Sequence, residues 1–435
     1  SGAQREHLAN ELALLWESAR EPTKAVEYFL LAAQQASQIF ATQEAGQLAQ
    51  HGLSLLHQLP ETEDRQRREL PLQVILGNFH LTTRGLAAPE TAKTYSRIRE
   101  LSQQTGDTQY LLPLLFGQAA LYIFKPAFAK AQEISLEFRA IAIQRQDPAV
   151  LIGDRLIGTI NLFQGDLQKA EQNLDKALDA YNPAQHQSLA WRYGSEPGVL
   201  AYGLRALLRW LQGYPEQALA DSRESLRLAF AVPHTHSQTF GLMYAAMLYQ
   251  HLRRPEPAVE LTEQQIALCE KQGLVMLQSL GKVINACAKA EQGDIAVSIE
   301  EIQQGMDKLR ATGAELFRAP YFCQLAALHG KAGQIESGFA ALEEAQAAIE
   351  QNAERWWEAE LHRVRGELLH QSGAPVLAVE ASFQKALAIA HAQEAKALEL
   401  RAAMSLAQLW HQLGKPNEAR QTLSESYYEF TEGFD

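Results

Sequence analysis

A short sequence motif (the recurring phrase of the chain) repeats at a nearly constant interval and constrains the fold more than any other feature. A turn residue, most often Gly, has a small residue five positions after it and another seven positions before it. Successive turn residues are separated by 48, 40, 40, 40, 40 and 41 positions. The turn residues and the small residues after them are Gly165/Ala170, Gly213/Ala218, Arg253/Ala258, Gly293/Ser298, Gly333/Gly338, Gly373/Ala378 and Gly414/Ala419. The preceding small residues are Gly158, Ala206, Ala246, Ala286, Ala326, Gly366 and Ala407, and Ala13, Arg20 and Ala25 repeat the phrase near the start. Such a period indicates stacked copies of one structural unit.

The spacing within the phrase predicts a pair of antiparallel helices. A Gly after an amphipathic run adopts the left-handed conformation that ends a helix. Small residues on both sides of the turn allow the two helices to cross closely. Apolar residues between the turns follow helical spacing, as in Ala170, Leu174 and Ala177, whereas sustained alternation is almost absent. A helical hairpin cannot bury its apolar face alone, so we predict an all-α fold, a right-handed α-solenoid with a period of about 40 residues.

The repeat divides the chain into two parts of unequal regularity. Residues 1–150 are predicted to form less regular helical repeats, and residues 151–435 regular ones, within one continuous superhelix. The stretch 178–199 carries eight extra residues relative to the period. Its composition leaves open whether the excess closes a groove or only lengthens a helix.

Composition excludes several classes of protein. The 435 residues are 46% hydrophobic and 21% charged, which is typical of a folded chain, and the net charge of -12 argues against nucleic-acid binding. The longest apolar run, 110–124, is interrupted by Pro113 and Gly117, which favours a buried helix over a membrane span. Cys269, Cys287 and Cys323 form no CxxC pair. We therefore expect reduced thiols and a cytoplasmic location.

No catalytic motif is visible in the sequence. The three Gly-Lys pairs lack both the preceding Gly and the following hydroxyl residue of a phosphate-binding loop, and no HExxH motif occurs. His234 and His236 form the only close histidine pair and are interpreted as part of a polar loop. We predict that the chain is not an enzyme and holds no metal and no cofactor.

The spacing of small residues resembles that of tetratricopeptide repeats. Phe383, Ala386 and Leu387 match the end of that pattern, as do Phe29 and Ala32 in the first unit, although the period here is about 40 rather than 34.

Several phrases further resemble the C-terminal repeat region of large bacterial predicted ATPases. They are LPET (59–62), RYGSEPGV (192–199), RATGAEL (310–316), KAGQ (331–334), WWEAELHR (356–363) and FTEGFD (430–435). In that family a cyclase, kinase or winged-helix domain often precedes a STAND-type NTPase module and the helical array. The resemblance implies a sensor or interaction arm that regulates an attached enzyme, and the Ser1-Gly2 start suggests a region of a longer protein.

Tetratricopeptide register implies which residues line the concave groove. The candidate groove residues are Trp210, Phe240, Met243, Met247, Glu360 and Arg363, with Arg401 farther along the same series. The predicted groove is apolar in its middle and polar towards its C-terminal end, which suits a peptide or helix. Alternatively, these residues pack against an adjacent turn of the superhelix and close the groove.

Two further sets of residues are candidates. Arg192, Tyr193 and Glu196 are polar groups beside a Pro-Gly break, where a regular helix pair needs none. Trp356 and Trp357 are adjacent, so one ring is expected in the core and the other at the rim, or both form a stacking surface.

The leading hypothesis is a non-catalytic sensor or protein-interaction region of a multidomain bacterial signalling ATPase. It would bind a protein, a peptide or an inducer in its groove and make no contact with nucleic acid or membrane. A small-molecule receptor, with a metabolite near Arg192, Tyr193 and Trp210, is the first alternative. A buried charged residue facing an enclosed pocket would favour it. Self-association is the second alternative.

Overall fold

The computed structural model describes residues 8–39, 41–84, 88–106 and 109–433. The predicted start at Ser1-Gly2 and the last two residues of the closing phrase, 434 and 435, lie outside these ranges. The described residues form 23 α-helices and no strand. The helices are α1 (Ala9–Ser18), α2 (Pro22–Gln38), α3 (Thr42–Leu56), α4 (Glu63–Thr83), α5 (Pro89–Thr105), α6 (Leu111–Phe124), α7 (Phe128–Gln144), α8 (Val150–Gln164), α9 (Leu167–Asp179), α10 (Pro183–His186), α11 (Leu189–Tyr193), α12 (Pro197–Leu211), α13 (Pro215–Ala231), α14 (Thr235–His251), α15 (Pro255–Gln272), α16 (Val275–Glu291), α17 (Ile295–Ala311), α18 (Arg318–Lys331), α19 (Ile335–Asn352), α20 (Glu358–Gln371), α21 (Val376–Ala392), α22 (Lys396–Gln412) and α23 (Pro416–Tyr427).

The turns between paired helices have the left-handed backbone that the repeat predicts. Gly165 and Gly213 have φ angles of 81° and 87°, and the two turns with Arg instead of Gly, Arg20 and Arg253, have 59° and 54°. A non-glycine residue is strained in this region, so its use at both positions shows that helix packing imposes the turn.

Small residues next to the turns lie where two helices cross. A Cβ atom added to Gly158 would come within 2.9 Å of Leu174, and one added to Gly366 within 2.5 Å of Phe383. The prediction that Ala378 lies at a helix crossing is wrong, because Ala378 is exposed and the next residue, Val379, is buried instead. Pro375 lengthens the turn before α21, which shifts the inward-facing position by one residue.

The helices stack as a solenoid of tetratricopeptide-like hairpins. Apart from the short helices α10 and α11, each helix packs against the next long helix along the chain, and every second helix from α12 to α22 also contacts the next but one. The largest apolar core has members from Leu70 to Leu398, a separate core occupies Ala9 to Leu76, and a small third core consists of Val379, Phe383, Leu406 and Leu409. The division at position 150 stays a prediction.

Later helical pairs dock on earlier ones, so the superhelix closes on itself. The backbone N–H groups of Glu315 and Leu316 donate to the Phe124 carbonyl at 2.9 and 3.1 Å, and that of Trp356 donates to the Phe163 carbonyl at 3.2 Å. The carbonyls at the C-terminal end of a helix lack partners within the helix, so these loops cap α6 and α8 from the following turn. The groove is therefore closed in this stretch, as in the alternative considered above.

The stretch before Val199 that carries the extra residues contains two short helices, α10 and α11. Tyr193 at the end of α11 is 2% exposed and packs edge-on against Phe116 and Phe138, with ring centroids 5.2 and 5.8 Å away. The insertion thereby adds a wall to the N-terminal part of the core. The apolar run 110–124 contains α6, and no described helix is long and apolar enough to cross a membrane.

Candidate functional site

A cavity of about 470 Å³ lies between two turns of the superhelix. The C-terminal ends of α14 and α16 form one side of it, and α18, α20 and α22 form the other. It is lined by Met247, Gln250, His251, Arg253, Glu291, Pro320, Tyr321, Gln324, Ala327, Leu328, Lys331, Trp356, Trp357, Glu360, Arg363, Glu367, Gln371 and Arg401. We call it the inter-turn cavity. Its volume suits a small molecule or a short peptide segment.

Stacked aromatic rings form one wall of the inter-turn cavity. The His251 ring packs against both Trp210 and Trp357, with centroids 4.6 and 4.8 Å away, and the centroids of the two indole rings are 6.0 Å apart. Trp356 follows, 5.0 Å from Trp357, and both tryptophans are at most 5% exposed. Burial, and then the charge of Arg401, lower the pKa of His251 to about 3, so its imidazole is neutral at pH 7. Its Nε2 atom is buried and has no hydrogen-bond partner.

An ion-pair network forms a second part of the cavity lining. Arg363 donates from Nε and Nη2 to the two carboxylate oxygens of Glu360, each at 2.8 Å, and from Nη1 to Glu367. Burial opposes ionisation of Glu360, but Arg363 and Arg401 outweigh it and lower its pKa to about 2. Glu360 and Arg363 are 7% and 9% exposed, so the charges are paired as buried charges must be.

Arg401 joins the two walls. Its Nη2 donates to the His251 carbonyl at 3.0 Å, and its guanidinium carbon lies 5.2 Å from the centre of the Trp210 ring. The nearest carboxylate oxygen, Oε1 of Glu360, is 3.5 Å away. The residue thus ties α22 to the end of α14, which is 150 positions earlier in the sequence.

The loop before α20 places the two tryptophans. Ala353 ends α19 in the left-handed conformation with a φ of 55°. Glu354 then turns inward, where its Oε1 accepts hydrogen bonds from the Phe317 N–H at 3.1 Å and from Trp356 Nε1 at 3.0 Å. Burial raises the pKa of Glu354 to about 8. The expectation of one core ring and one rim ring is wrong, because the pair lies in a turn docked under the preceding superhelical turn and both rings are buried.

Four of the predicted groove residues meet at the inter-turn cavity. Met247, Glu360 and Arg363 line it, and Trp210 supports its aromatic wall. Phe240 and Met243, two and one turns before Met247 on α14, are 6% and 0% exposed and belong to the core. The predicted register thus names residues on helices that line the cavity, but closure of the superhelix buries the residues expected in an open apolar groove.

Arg192, Tyr193 and Glu196 lie away from the inter-turn cavity and have different surroundings. Arg192 pairs with Asp147 at 2.9 Å and lines a second cavity of about 430 Å³. Tyr193 is in the core.

Glu196 caps the N-terminus of α12. Its Oε2 accepts from the Val199 N–H at 2.8 Å, and Tyr181 donates to its other oxygen. Its own N–H donates to Ser237, which also bonds His234. Every one of these contacts satisfies a buried polar group.

The residues that sequence reasoning missed are those supplied by closure. His251 and Gln250 end α14, a position that no motif distinguishes. Arg401 appears in the groove series but only the structure shows that it reaches α14. Among the described residues, no group of three or more His, Cys, Asp or Glu side chains could hold a metal ion.

Comparisons with known proteins add little beyond the architecture. No protein-family model matches the sequence. An uncharacterized protein of Rhizobium meliloti (strain 1021) is 24% identical over 396 residues, which cover 90% of this chain and 38% of that protein. The chain thus spans well under half the length of that relative.

Several solved structures share the helical-repeat arrangement at low similarity. Aspartyl phosphate phosphatase F from Bacillus subtilis is 11% identical, with 85% of this chain and 95% of that chain covered and a TM-score of 0.46. A signal transduction ATPase with a tetratricopeptide repeat sensor from Pyrococcus horikoshii is 12% identical, with 89% and 52% covered and a TM-score of 0.40. Likeness of this degree supports nothing about ligands or activity.

Proposed function

We propose that this chain is the non-catalytic sensor region of a larger bacterial signalling ATPase and that it binds a small-molecule inducer in the inter-turn cavity. The observation that carries the proposal is the buried pair Glu360 and Arg363, which faces a cavity that is partly open to solvent and is walled by Trp356 and Trp357. Buried charges beside aromatic rings are typical of sites for small polar ligands, whereas protein interfaces deplete charge from their centre.

The place of the cavity in the superhelix supports a sensing role. Its walls come from helices that belong to successive turns, so a ligand that contacts both walls stabilises the closed arrangement. A ligand shifts a conformational equilibrium only through its different affinity for the two states. Here an opened superhelix would separate α14 from α22 and lose the site.

The parent protein is part of the proposal. The phrases LPET, RATGAEL and WWEAELHR support attachment to a STAND-type NTPase module in a cytoplasmic protein. The longer length of the relative from Rhizobium meliloti agrees with this.

Native mass spectrometry of the protein purified from its own host tests the proposal. We expect a stoichiometric small molecule that is released on unfolding. The matched variants are Ala327→Phe, which fills the cavity, and Ala340→Phe, which places the same ring on the exposed face of α19. Loss of the adduct in the first variant alone supports the cavity as the site. An adduct that survives in Ala327→Phe contradicts it, and a clean apo mass or a clean dimer mass favours a protein partner or self-association.

A further inference from the structure

The inter-turn cavity contains a partly buried cation, Arg401, that makes few hydrogen bonds with the rest of the protein. A guanidinium has five N–H donors. Among the described residues, Arg401 makes one hydrogen bond, to the His251 carbonyl. Its side chain is 18% exposed, so bulk water cannot solvate it freely. An anion inside the cavity would satisfy donors that the protein leaves available.

The carboxylates nearby do not neutralise Arg401 fully. Both oxygens of Glu360 accept hydrogen bonds from Arg363, and Glu367 also accepts from Arg363. The contact between Arg401 and Glu360, at 3.5 Å, is an ion pair without a hydrogen bond. Arg363 is thus saturated by two carboxylates, whereas Arg401 shares one of them.

The lining as a whole carries an excess positive charge, although the chain is acidic. Four basic side chains line the cavity (Arg253, Lys331, Arg363 and Arg401) against three acidic ones (Glu291, Glu360 and Glu367). His251 adds no charge, since its pKa lies far below 7. Arg253 and Lys331 are exposed at the mouth, where they attract anions from solution.

A buried side-chain oxygen at the cavity also lacks a hydrogen-bond partner. Gln250 is 7% exposed, lines the cavity, and has a buried Oε1 atom with no hydrogen-bond partner. An unsatisfied buried polar atom costs free energy that a ligand group can recover. Gln250 Oε1 is an acceptor and can take a hydrogen bond from a donor group of the ligand, whereas Arg401 calls for an anionic acceptor. The aromatic wall suits the apolar body of the same molecule.

We propose that the inter-turn cavity binds a small anionic molecule through a carboxylate or phosphate group, with Arg401 as the main contact and Arg253 and Lys331 at the entrance. The proposal rests on the proposed function, because it specifies the inducer of that site. Trp356 and Trp357 pack against the remainder of the ligand, and Gln250 orients it.

Two probe anions and one neutral control test this assignment. Sodium phosphate, sodium benzoate and benzamide are titrated at constant ionic strength, with tryptophan fluorescence as the readout because Trp210, Trp356 and Trp357 lie at the site. We expect a saturable response to phosphate or to benzoate, which identifies the preferred anionic group. Benzamide has the shape of benzoate without its charge, and equal binding of the two would overturn the proposal.

Variants separate binding from structure. Arg401→Gln is expected to weaken binding of the probe by at least about tenfold. Because Arg401 also bonds the His251 carbonyl, the double variant Arg253→Gln/Lys331→Gln gives a second measure at exposed positions and is expected to weaken binding about threefold. Arg227→Gln, an exposed residue paired with Glu224, is the control and should leave binding unchanged.

The proposal fails if neither anion gives a saturable response, or if both the Arg401 variant and the double variant bind like the unaltered protein. A neutral inducer found by native mass spectrometry would overturn the anionic assignment and leave the proposed sensor function standing. Loss of probe binding in Ala327→Phe but not in Ala340→Phe would support both.

Discussion

The first four helices and the helices from α18 to α22 are built from the same hairpin but are held in place differently. The first four share a small apolar core of their own, from Ala9 to Leu76, and Gln43 donates to the Gln272 carbonyl in the next turn from an exposed side chain. The later helices bury Trp356 under α8 and bond Arg401 to α14. A repeat therefore specifies the unit, while the loops between units decide whether the superhelix encloses a site.

The largest expected effect comes from removing the ring that docks one turn on the other. Trp356→Ala should lower the free energy of unfolding by about 3–5 kcal/mol, since a fully buried aromatic side chain is lost and the space cannot collapse. Urea denaturation measures the loss of free energy of unfolding, and hydrogen exchange shows which part of the structure is affected. We expect the α18–α22 region to lose protection.

Two further substitutions allow the effect of Trp356→Ala to be compared between the first four helices and the helices from α18 to α22. Phe29→Ala, in the core of the first helices, should loosen that region and leave the later helices protected. Trp191→Ala removes the same side chain from a 44% exposed position and should cost less than about 1 kcal/mol. Equal loss of protection everywhere in Trp356→Ala and Phe29→Ala would show that the two regions are held alike.

A smaller effect, dependent on pH, is expected at Glu354. Burial raises its pKa in the folded state to about 8, above its ordinary value of 4.5. The folded state then binds this proton more tightly than the unfolded state. The resulting stability is complete below pH 4.5 and is lost as the pH rises through 8.

Glu354→Gln keeps an acceptor for Phe317 and Trp356 but cannot ionise. As the pH rises from 5 to 8, the free energy of unfolding of the variant should increase by about 3 kcal/mol relative to that of the unaltered protein. Thermal unfolding at several pH values measures the gain. A constant difference across this range would contradict a buried, protonated carboxyl group at the docking loop.

The smallest effect is expected where the chain near its C-terminal end reaches back to α13. Oε1 of Glu432 accepts from the N–H groups of Glu216 and Gln217 at 2.8 and 3.1 Å and so caps that helix from 216 positions away. Glu432→Gln removes the charge at a helix N-terminus and should cost about 1 kcal/mol. Glu429→Gln, which removes the same charge three residues earlier, is the control. Equal melting temperatures for both variants would show that the charge of Glu432 does not stabilise α13.

Local patterns were enough to predict the units of the fold. The turn residues, the small residues at helix crossings such as Gly158, and the absence of strand alternation all act within one hairpin, so the sequence shows them directly. The exception at Ala378 arises from one added turn residue, Pro375.

Closure of the superhelix could not be predicted in the same way. Trp356 bonds Phe163 and Arg401 bonds His251, and each contact depends on the summed rotation of several units. Small angular differences per unit decide whether such residues meet, and no local pattern encodes that sum. The sequence therefore predicted Glu360 and Arg363 as residues of an open groove and did not predict the cavity that they face.

Hydrogen exchange of individual backbone amides tests the closure of the superhelix most directly. The amides of Glu315, Leu316 and Trp356 donate to carbonyls of the preceding turn. If the later helices dock as described, these three amides exchange as slowly as those in the centre of α14. Exchange at the rate of exposed loop amides would show that the turns are separate and that the inter-turn cavity does not form.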